Sequence, residues 1–380
     1  MKEIVSKIKC TGCTACASIC PQNAIIMEKD NEGFMYPVIQ KDKCIDCGLC
    51  KKKCPVLSTI NNDSINQCYV AYNKNNDDKL KSSSGGIFTL FANFILDNDG
   101  IVIGAAFDEK HKLKHIAISK KEELDKLKGS KYLQSDLNNI FKYVKDNIKE
   151  KKILFVGTPC QVAGLKAIVK NNNLLTIDLI CHGVPSPKLF EKYIQELEQT
   201  NNDKLVNYNF RDKSTGWDTY SSTVIFKNNI KTELSKDNDY MKIFLSDVAL
   251  RESCYNCNFK LGNKYSDITL GDFWEVQKYY PDMYNKEGVS AIIINTKQGQ
   301  NIFDKIRNDI IYKDCKLQEI LEGNPSLKTS SKRNKKRKNF FENVEKKDIK
   351  TLSKEYSYKN TIIRRVKNKI KRIIKQLIKH

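Results

Sequence analysis

The chain has 380 residues, 40% of them apolar and 29% charged, which allows more than one buried core and argues against wholesale disorder. No apolar run reaches the ~18 residues of a membrane-spanning helix, and the opening MKEIVSKIKC lacks the apolar stretch and cleavage site of a secretory signal, so the chain reads as cytoplasmic. The net charge of +21 is concentrated: residues 328–380 carry 20 Lys or Arg against 4 Asp or Glu, and the remainder 46 against 41, a near-neutral body that speaks against nucleic acid as the partner.

Fourteen cysteines are the strongest compositional signal. A reducing cytoplasm has little use for seven disulfides, so the clusters point to metal or redox chemistry. Cys10, Cys13, Cys16 and Cys20 are followed by Pro21, and Cys44, Cys47, Cys50 and Cys54 by Pro55. Each set is C-x2-C-x2-C-x3-C-P, the spacing that holds cubane iron–sulfur clusters in bacterial ferredoxins. The short gaps let three thiolates curl around one cube, with backbone N–H groups turned toward the sulfurs. The fourth cysteine lies too far round and ligates the other cluster. Cluster one is therefore expected on Cys10, Cys13, Cys16 and Cys54, and cluster two on Cys20, Cys44, Cys47 and Cys50. Structural zinc also takes four thiolates, but as two pairs rather than two proline-closed quartets. Between the motifs, 24–28 and 33–39 alternate as the two strands of a hairpin around the turn 29–32.

Residues 61–81 read as a linker with one short strand at 68–72. Ser82, Ser83, Ser84, Gly85 and Gly86 then precede an apolar helix over 87–96. Serines and glycines at a helix start suit a phosphate, although such residues are also ordinary caps. A buried strand is expected at 101–107, helices at 120–127 and 136–149, then strand 153–157, helix 161–170, strand 174–180 and helix 187–198, a pattern of parallel doubly wound units. His111 and His115 lie in a polar stretch and are expected to be solvated. Strands are expected at 206–210 and 220–226, a helix at 239–250, and strands at 267–272 and 291–295. Cys68 and Cys315 have no partner at useful spacing and read as small packed hydrophobes.

Cys160 and Cys181 each fall just past the end of an expected strand, on the sheet edge where α/β proteins place ligands. With Cys254 and Cys257 they complete a set of four. On local grounds these are a third cluster, or two buried thiols plus half a zinc site.

Gly157-Thr-Pro-Cys160-Gln161, the isolated Cys181, the Cys254/Cys257 pair and the Ser84-Gly-Gly86 helix start resemble, in order over residues 65–310, the beta subunit family of coenzyme F420-reducing hydrogenases and formate dehydrogenases. The resemblance implies FAD and a 4Fe–4S cluster on Cys160, Cys181, Cys254 and Cys257. It also implies FAD contacts at Ser84, Gly85 and Gly86, with Gly129, Ser130, Lys131 and Tyr132 as further candidates. Relatives with a ferredoxin front resemble subunits of membrane-linked F420 dehydrogenases and chlorophyll-modifying reductases, and others sit among polysaccharide-biosynthesis proteins. No residue matches a deazaflavin determinant, so the organic substrate stays open.

The expected fold is mixed α+β and α/β: a dicluster ferredoxin domain at 1–60, a flavin and iron–sulfur domain at 65–325, and a basic helical tail at 326–380. The expected function is an iron–sulfur flavoprotein oxidoreductase relaying single electrons through 4Fe–4S clusters to FAD, and on to a small organic donor or acceptor. A non-catalytic electron-transfer subunit of a larger redox complex is the first rival, and a tail-driven nucleic-acid binder with structural metal the second. His182 is a candidate proton donor, and Tyr132, Trp217, Trp274 and Tyr279 are candidate ring-stacking aromatics, although aromatics also serve as core. The charge block 330–338 reads as solvated. Ile362, Ile363, Val366, Ile370, Ile373, Ile374 and Leu377 share one helical face, an amphipathic stretch suited to the inner membrane surface or a protein partner.

Overall fold

The computed structural model describes residues 3–58, 66–261 and 265–357. The amphipathic stretch at 362–377 lies outside these residues. None of the described helices is long and apolar enough to cross a membrane.

The front of the chain folds as expected. Strands β1 (Ile25–Lys29) and β2 (Met35–Ile39) pair antiparallel between the two cysteine motifs. Asp30 closes their turn by accepting the N–H groups of Glu32 and Phe34 at 3.0 and 2.9 Å.

The main body is built on an eight-stranded sheet. Its strands are β3 (Gln67–Asn73), β4 (Ile101–Phe107), β5 (Leu113–Ile118), β6 (Ile153–Gly157) and β7 (Leu174–Leu179), with three more from later in the chain. A separate three-stranded antiparallel sheet comprises β8 (Leu205–Asp212), β9 (Ser221–Phe226) and β10 (Ile230–Leu234). Then β11 (Ile268–Asp272), β12 (Ser290–Ile294) and β13 (Ile310–Cys315) complete the large sheet in the order β13-β3-β12-β11-β7-β6-β4-β5.

The doubly wound expectation holds only in the middle. β4, β6, β7 and β11 run parallel, whereas β5, β12, β3 and β13 pair antiparallel. The helix Pro159–Ile168 carries the chain from β6 to β7. β5 instead returns from β4 through a turn in which Asp108 accepts the N–H groups of Lys110 and Lys112, both at 2.9 Å. Alternate strand residues face opposite layers. Leu154 and Val102 meet the helices Ile87–Leu96 and Lys297–Ile306, while Ile153 and Phe155 meet Ile140–Asn147 and Pro159–Ile168.

Several expected elements shift. The segment read as a helix at 120–127 is a 3-10 turn, Lys121–Lys126, and the next helix starts only at Ile140. The helix expected over 239–250 stops at Leu245, two residues before Asp247 enters the left-handed region at φ 59°. His115 is not solvated. It lies on β5, 5% exposed, with Nε2 on the Val156 carbonyl at 3.0 Å and Nδ1 on the Ser135 hydroxyl at 2.8 Å. His111 is half-buried, with Nε2 at 2.9 Å from the Leu205 carbonyl. Cys68 and Cys315 do pack into the core, but they are partners: they oppose one another across β3 and β13.

The charge block at 330–338 is also not uniformly solvated. Arg337 is 4% exposed and forms a two-pronged ion pair with Glu32 at the hairpin tip. Beyond it, Phe340, Val344, Ile349, Leu352 and Tyr356 fill the core formed by β8, β9 and the helix Pro187–Asn201. The hairpin tip is thus clasped from two sides. Ser186 donates to the Glu32 carbonyl, and Lys188 donates to the Asn31 carbonyl at 3.0 Å. Gly33 sits at φ +87° with its α-carbon so close to Lys188 that any added Cβ would lie 2.5 Å from the lysine Cβ.

Candidate redox site

All fourteen cysteines are free thiols. One cavity is lined by Cys20, Cys44, Cys47 and Cys50 and by no other cysteine, so the last member of the first motif lies with the first three of the second. Cys54 lies between the two sets: its thiol feels those of Cys10 and Cys50, and that of Cys16 feels Cys10, Cys54 and Cys50. Burial pushes Cys16 up to about 12 and Cys13 well above the ordinary thiol value, neighbouring thiols push the same way, and the N–H groups of Ala17 and Ala15 pull them back. These are the amides the sequence expects to turn toward the sulfurs. The Ala24 N–H likewise donates to Cys20 Sγ at 3.3 Å.

A second cavity gathers Cys160, Cys181, Cys254 and Cys257 with Thr158, Gln161, His182, Arg251 and Lys260. Parallel pairing of β6 with β7 is what brings the first two together, because each thiol follows the C-terminal end of its strand. Thr158 caps the helix Pro159–Ile168, and Cys160 stands in its first turn. Burial pushes Cys160, Cys181 and Cys254 up to about 12 and the other thiols of the set add to it. Metal binding takes thiolates, so such a set exchanges its protons for metal charge on loading. Among the described residues no three His, Cys, Asp or Glu side chains converge as ligands of a single metal ion do. A four-iron cube is a wider guest, ligated at its corners.

Sequence reasoning missed a buried polar chain that ends on this cavity. The His115 ring meets Ser135 Oγ, which accepts from Gln161 Nε2 at 3.0 Å. Gln161 Oε1 accepts from Thr158 Oγ1 at 3.1 Å, and that hydroxyl lies 3.2 Å from Cys160 Sγ. His182, the candidate proton donor, lines the same cavity with Nε2 at 2.6 Å from Asp247 and Nδ1 at 3.3 Å from Ser326.

The two quartet regions abut. Gly164, on the helix that begins at Pro159, faces Cys13 so closely that a Cβ there would stand 2.9 Å from the Cys13 sulfur. Only glycine lets the helix backbone meet the Cys13 side chain at this distance.

The candidate flavin residues form a separate constellation. Ser83 Oγ accepts both the N–H and, at 2.8 Å, the hydroxyl of Ser130, which joins the 82–86 and 129–132 segments. Ser84 donates to the Val289 carbonyl at 3.0 Å, and the Gly85 N–H is taken by Ser290 Oγ at 2.9 Å, so both are committed to the edge of β12. Gly86 begins the helix Ile87–Leu96, and a side chain at Gly129 would meet open space. Burial pushes Lys131 and Lys213 down to about 7. Ser82 Oγ and Arg211 Nε are buried with no hydrogen-bond partner. Arg211, which sequence reasoning did not single out, reaches the Ser83 carbonyl at 3.2 Å and the Tyr132 hydroxyl at 3.3 Å, and lies 4.0 Å above the Tyr220 ring. Of the candidate aromatics, Trp217 and Trp274 stack on each other at 5.0 Å and Tyr132 on Phe244 at 5.1 Å, while Tyr279 bonds Glu322 elsewhere. Arg211 is itself paired with Asp272, and the orphaned Ser82 hydroxyl and Arg211 Nε–H beside that pair are donors of the kind that fit a phosphate such as the diphosphate of FAD.

No curated protein matches the chain. A solved chain from the xenon derivatization of the F420-reducing [NiFe] hydrogenase complex of Methanosarcina barkeri matches at 19% identity and a TM-score of 0.47, over 70% of this chain and 91% of that one. Residues 9–57 match the 4Fe–4S dicluster domain, and residues 150–319 match the C terminus of the coenzyme F420 hydrogenase/dehydrogenase beta subunit. Over residues 150–319 the main domain is therefore similar to the C terminus of the coenzyme F420 hydrogenase/dehydrogenase beta subunit, and the front of the chain to a 4Fe–4S dicluster domain.

Proposed function

We propose that this protein is an iron–sulfur flavoprotein oxidoreductase that works with a redox partner complex. Cys10, Cys13, Cys16 and Cys54 hold one 4Fe–4S cluster, Cys20, Cys44, Cys47 and Cys50 a second, and Cys160, Cys181, Cys254 and Cys257 a third. FAD lies along the 82–86 and 129–132 segments, with Ser82 and Arg211 offering their orphaned donors to its phosphates. When bound, the clusters supply one-electron steps and the flavin exchanges them for two-electron chemistry with an organic substrate of the deazaflavin class.

The residues of the chain do the rest. Backbone amides and burial hold the thiols, the Trp217–Trp274 stack lies beside Arg211, and His182, held by Asp247 at Nε2, keeps Nδ1 as the nitrogen at which a proton can be moved. The observation that carries this reading is the contact of Cys13 with Gly164, because it lets a cluster site of the front domain and one of the main domain share a helix.

Anaerobic purification with iron, sulfide and flavin analysis tests it. The expected result is roughly twelve irons per chain, one extractable FAD, and bleaching of the flavin by reduced F420. A full iron count without flavin makes the chain a relay subunit instead. Zinc in place of iron overturns the reading.

A further inference from the structure

Arg251 is 1% exposed, and its backbone and side chain belong to different sites. Its N–H donates to the Val184 carbonyl at 3.0 Å and its carbonyl accepts the Cys254 N–H at 2.9 Å, which builds it into the loop of the third quartet. Its side chain lines the same cavity and then crosses to the front domain. There Nε donates to the Cys10 carbonyl at 2.8 Å, Nη2 to the Met35 carbonyl at 2.9 Å, and Nη2 lies 3.8 Å from the Cys10 sulfur. Nη1 donates to Gln134 Oε1 at 2.9 Å, whose amide in turn holds the Thr11 carbonyl at 3.2 Å, and the guanidinium lies 4.1 Å from the centre of the Tyr36 ring.

Among the described residues no carboxylate pairs with this guanidinium, although the similarly buried Arg211 pairs with Asp272 and Arg337 with both Glu32 and Glu252. A guanidinium keeps its charge in every protein setting, and taking it out of water costs several kcal/mol of solvation. Carbonyl oxygens offset part of that cost. The remaining counter-charge available at this spot is the two thiolate sets that flank it.

We propose that Arg251 is a positioning residue that serves two cluster sites at once: it locks the loop of Cys10 onto the loop of Cys254 and lends both sites a single fixed positive charge. This rests on the three-cluster reading above. Four thiolates around a four-iron core already carry net negative charge, and each reduction adds another. A fixed cation between two such groups favours their reduced forms, so Arg251 raises the reduction potentials of the Cys10 cluster and of the Cys160 cluster together. The cluster of Cys20, Cys44, Cys47 and Cys50, in its own cavity without Arg251, lies outside this influence.

The test is an EPR-monitored redox titration of the full chain carrying Arg251→Gln, beside Gln134→Glu. The second variant sets a carboxylate on the guanidinium while keeping its shape and packing. In both, two of the three clusters are expected to become harder to reduce by about tenfold, 59 mV for a one-electron couple, with the third unmoved. Unchanged potentials with iron retained, or an equal shift of all three clusters, would overturn the proposal. Fewer than three clusters in the unmutated protein would overturn the underlying reading instead, so the two failures are distinguishable.

Discussion

Arg211 and Asp272 face each other as two parallel forks, with Nη1 to Oδ2 at 3.2 Å and Nη2 to Oδ1 at 3.3 Å, and the indole N–H of Trp217 donates to the same carboxylate at 2.7 Å. Their side chains are only 3% and 17% exposed. Removing one member of such a pair strands the other away from water, which costs about 3–5 kcal/mol. Arg211→Leu is therefore expected to lower the thermal midpoint and to purify without flavin. Asp272→Asn keeps an oxygen for Arg211 and Trp217 and should lose less on both counts, as read by calorimetry and flavin extraction.

The crossed ligation proposed above makes a prediction that motif order alone would get backwards. Cys54→Ala should abolish the same EPR signal as Cys10→Ala, and Cys20→Ala the same signal as Cys47→Ala. Cys160→Ala should remove roughly four irons and leave both signals of the front domain. Loss of one shared signal for Cys54 and Cys47 would show that each motif holds its own cluster.

His115 gives the protein an acid-labile point. Burial pushes its pKa down to about 4 from an ordinary 6.5, while the hydrogen bond to Val156 pulls it up. The unfolded chain therefore takes up the proton first as pH falls. The stability from this residue is complete above pH 6.5, declines below it, and is gone near pH 4. At pH 5 the loss amounts to about 2 kcal/mol. A thermal midpoint measured from pH 7 to pH 5 should fall more steeply for the unmutated protein than for His115→Gln, and equal slopes would refute the assignment.

The basic segment after residue 330 should behave as two kinds of surface. Phe340 is fully buried against Tyr356, their ring centres 5.5 Å apart, and Phe340→Ala is expected to cost about 3–5 kcal/mol. Lys338, two positions earlier, is 83% exposed in a 3.9 Å pair with Glu342, and Lys338→Ala should stay within about 0.5 kcal/mol. Chemical denaturation of the two variants separates them.

Much of this arrangement is legible in the sequence, because cysteine spacing and strand endings are local properties. The helix Ile87–Leu96 and the strand Ile153–Gly157 have the bounds that periodicity gives, and the latter fixes where Cys160 emerges. Buried cations are not legible. Arg211, Arg251 and Arg337 are paired with residues 61, 241 and 305 positions away, so nothing near them in sequence distinguishes them from solvated arginines. β5 was hidden for a related reason: His115 and Lys114 interrupt its apolar alternation, and His115 is tolerated inside only because Val156 and Ser135 satisfy both ring nitrogens. The opposition of Cys68 and Cys315 depends on β13, an exposed-patterned edge strand whose place beside β3 no local signal reveals.

The clasp on Glu32 and Gly33 fixes how electrons can travel. A front domain held at its hairpin by Arg337, Ser186 and Lys188 is no swinging arm: it does not leave one docking place to visit another. With the clusters proposed above, delivery to the main domain would proceed by tunnelling across this fixed junction. Its rate should follow driving force and remain indifferent to added glycerol or other viscogens that slow a tethered carrier.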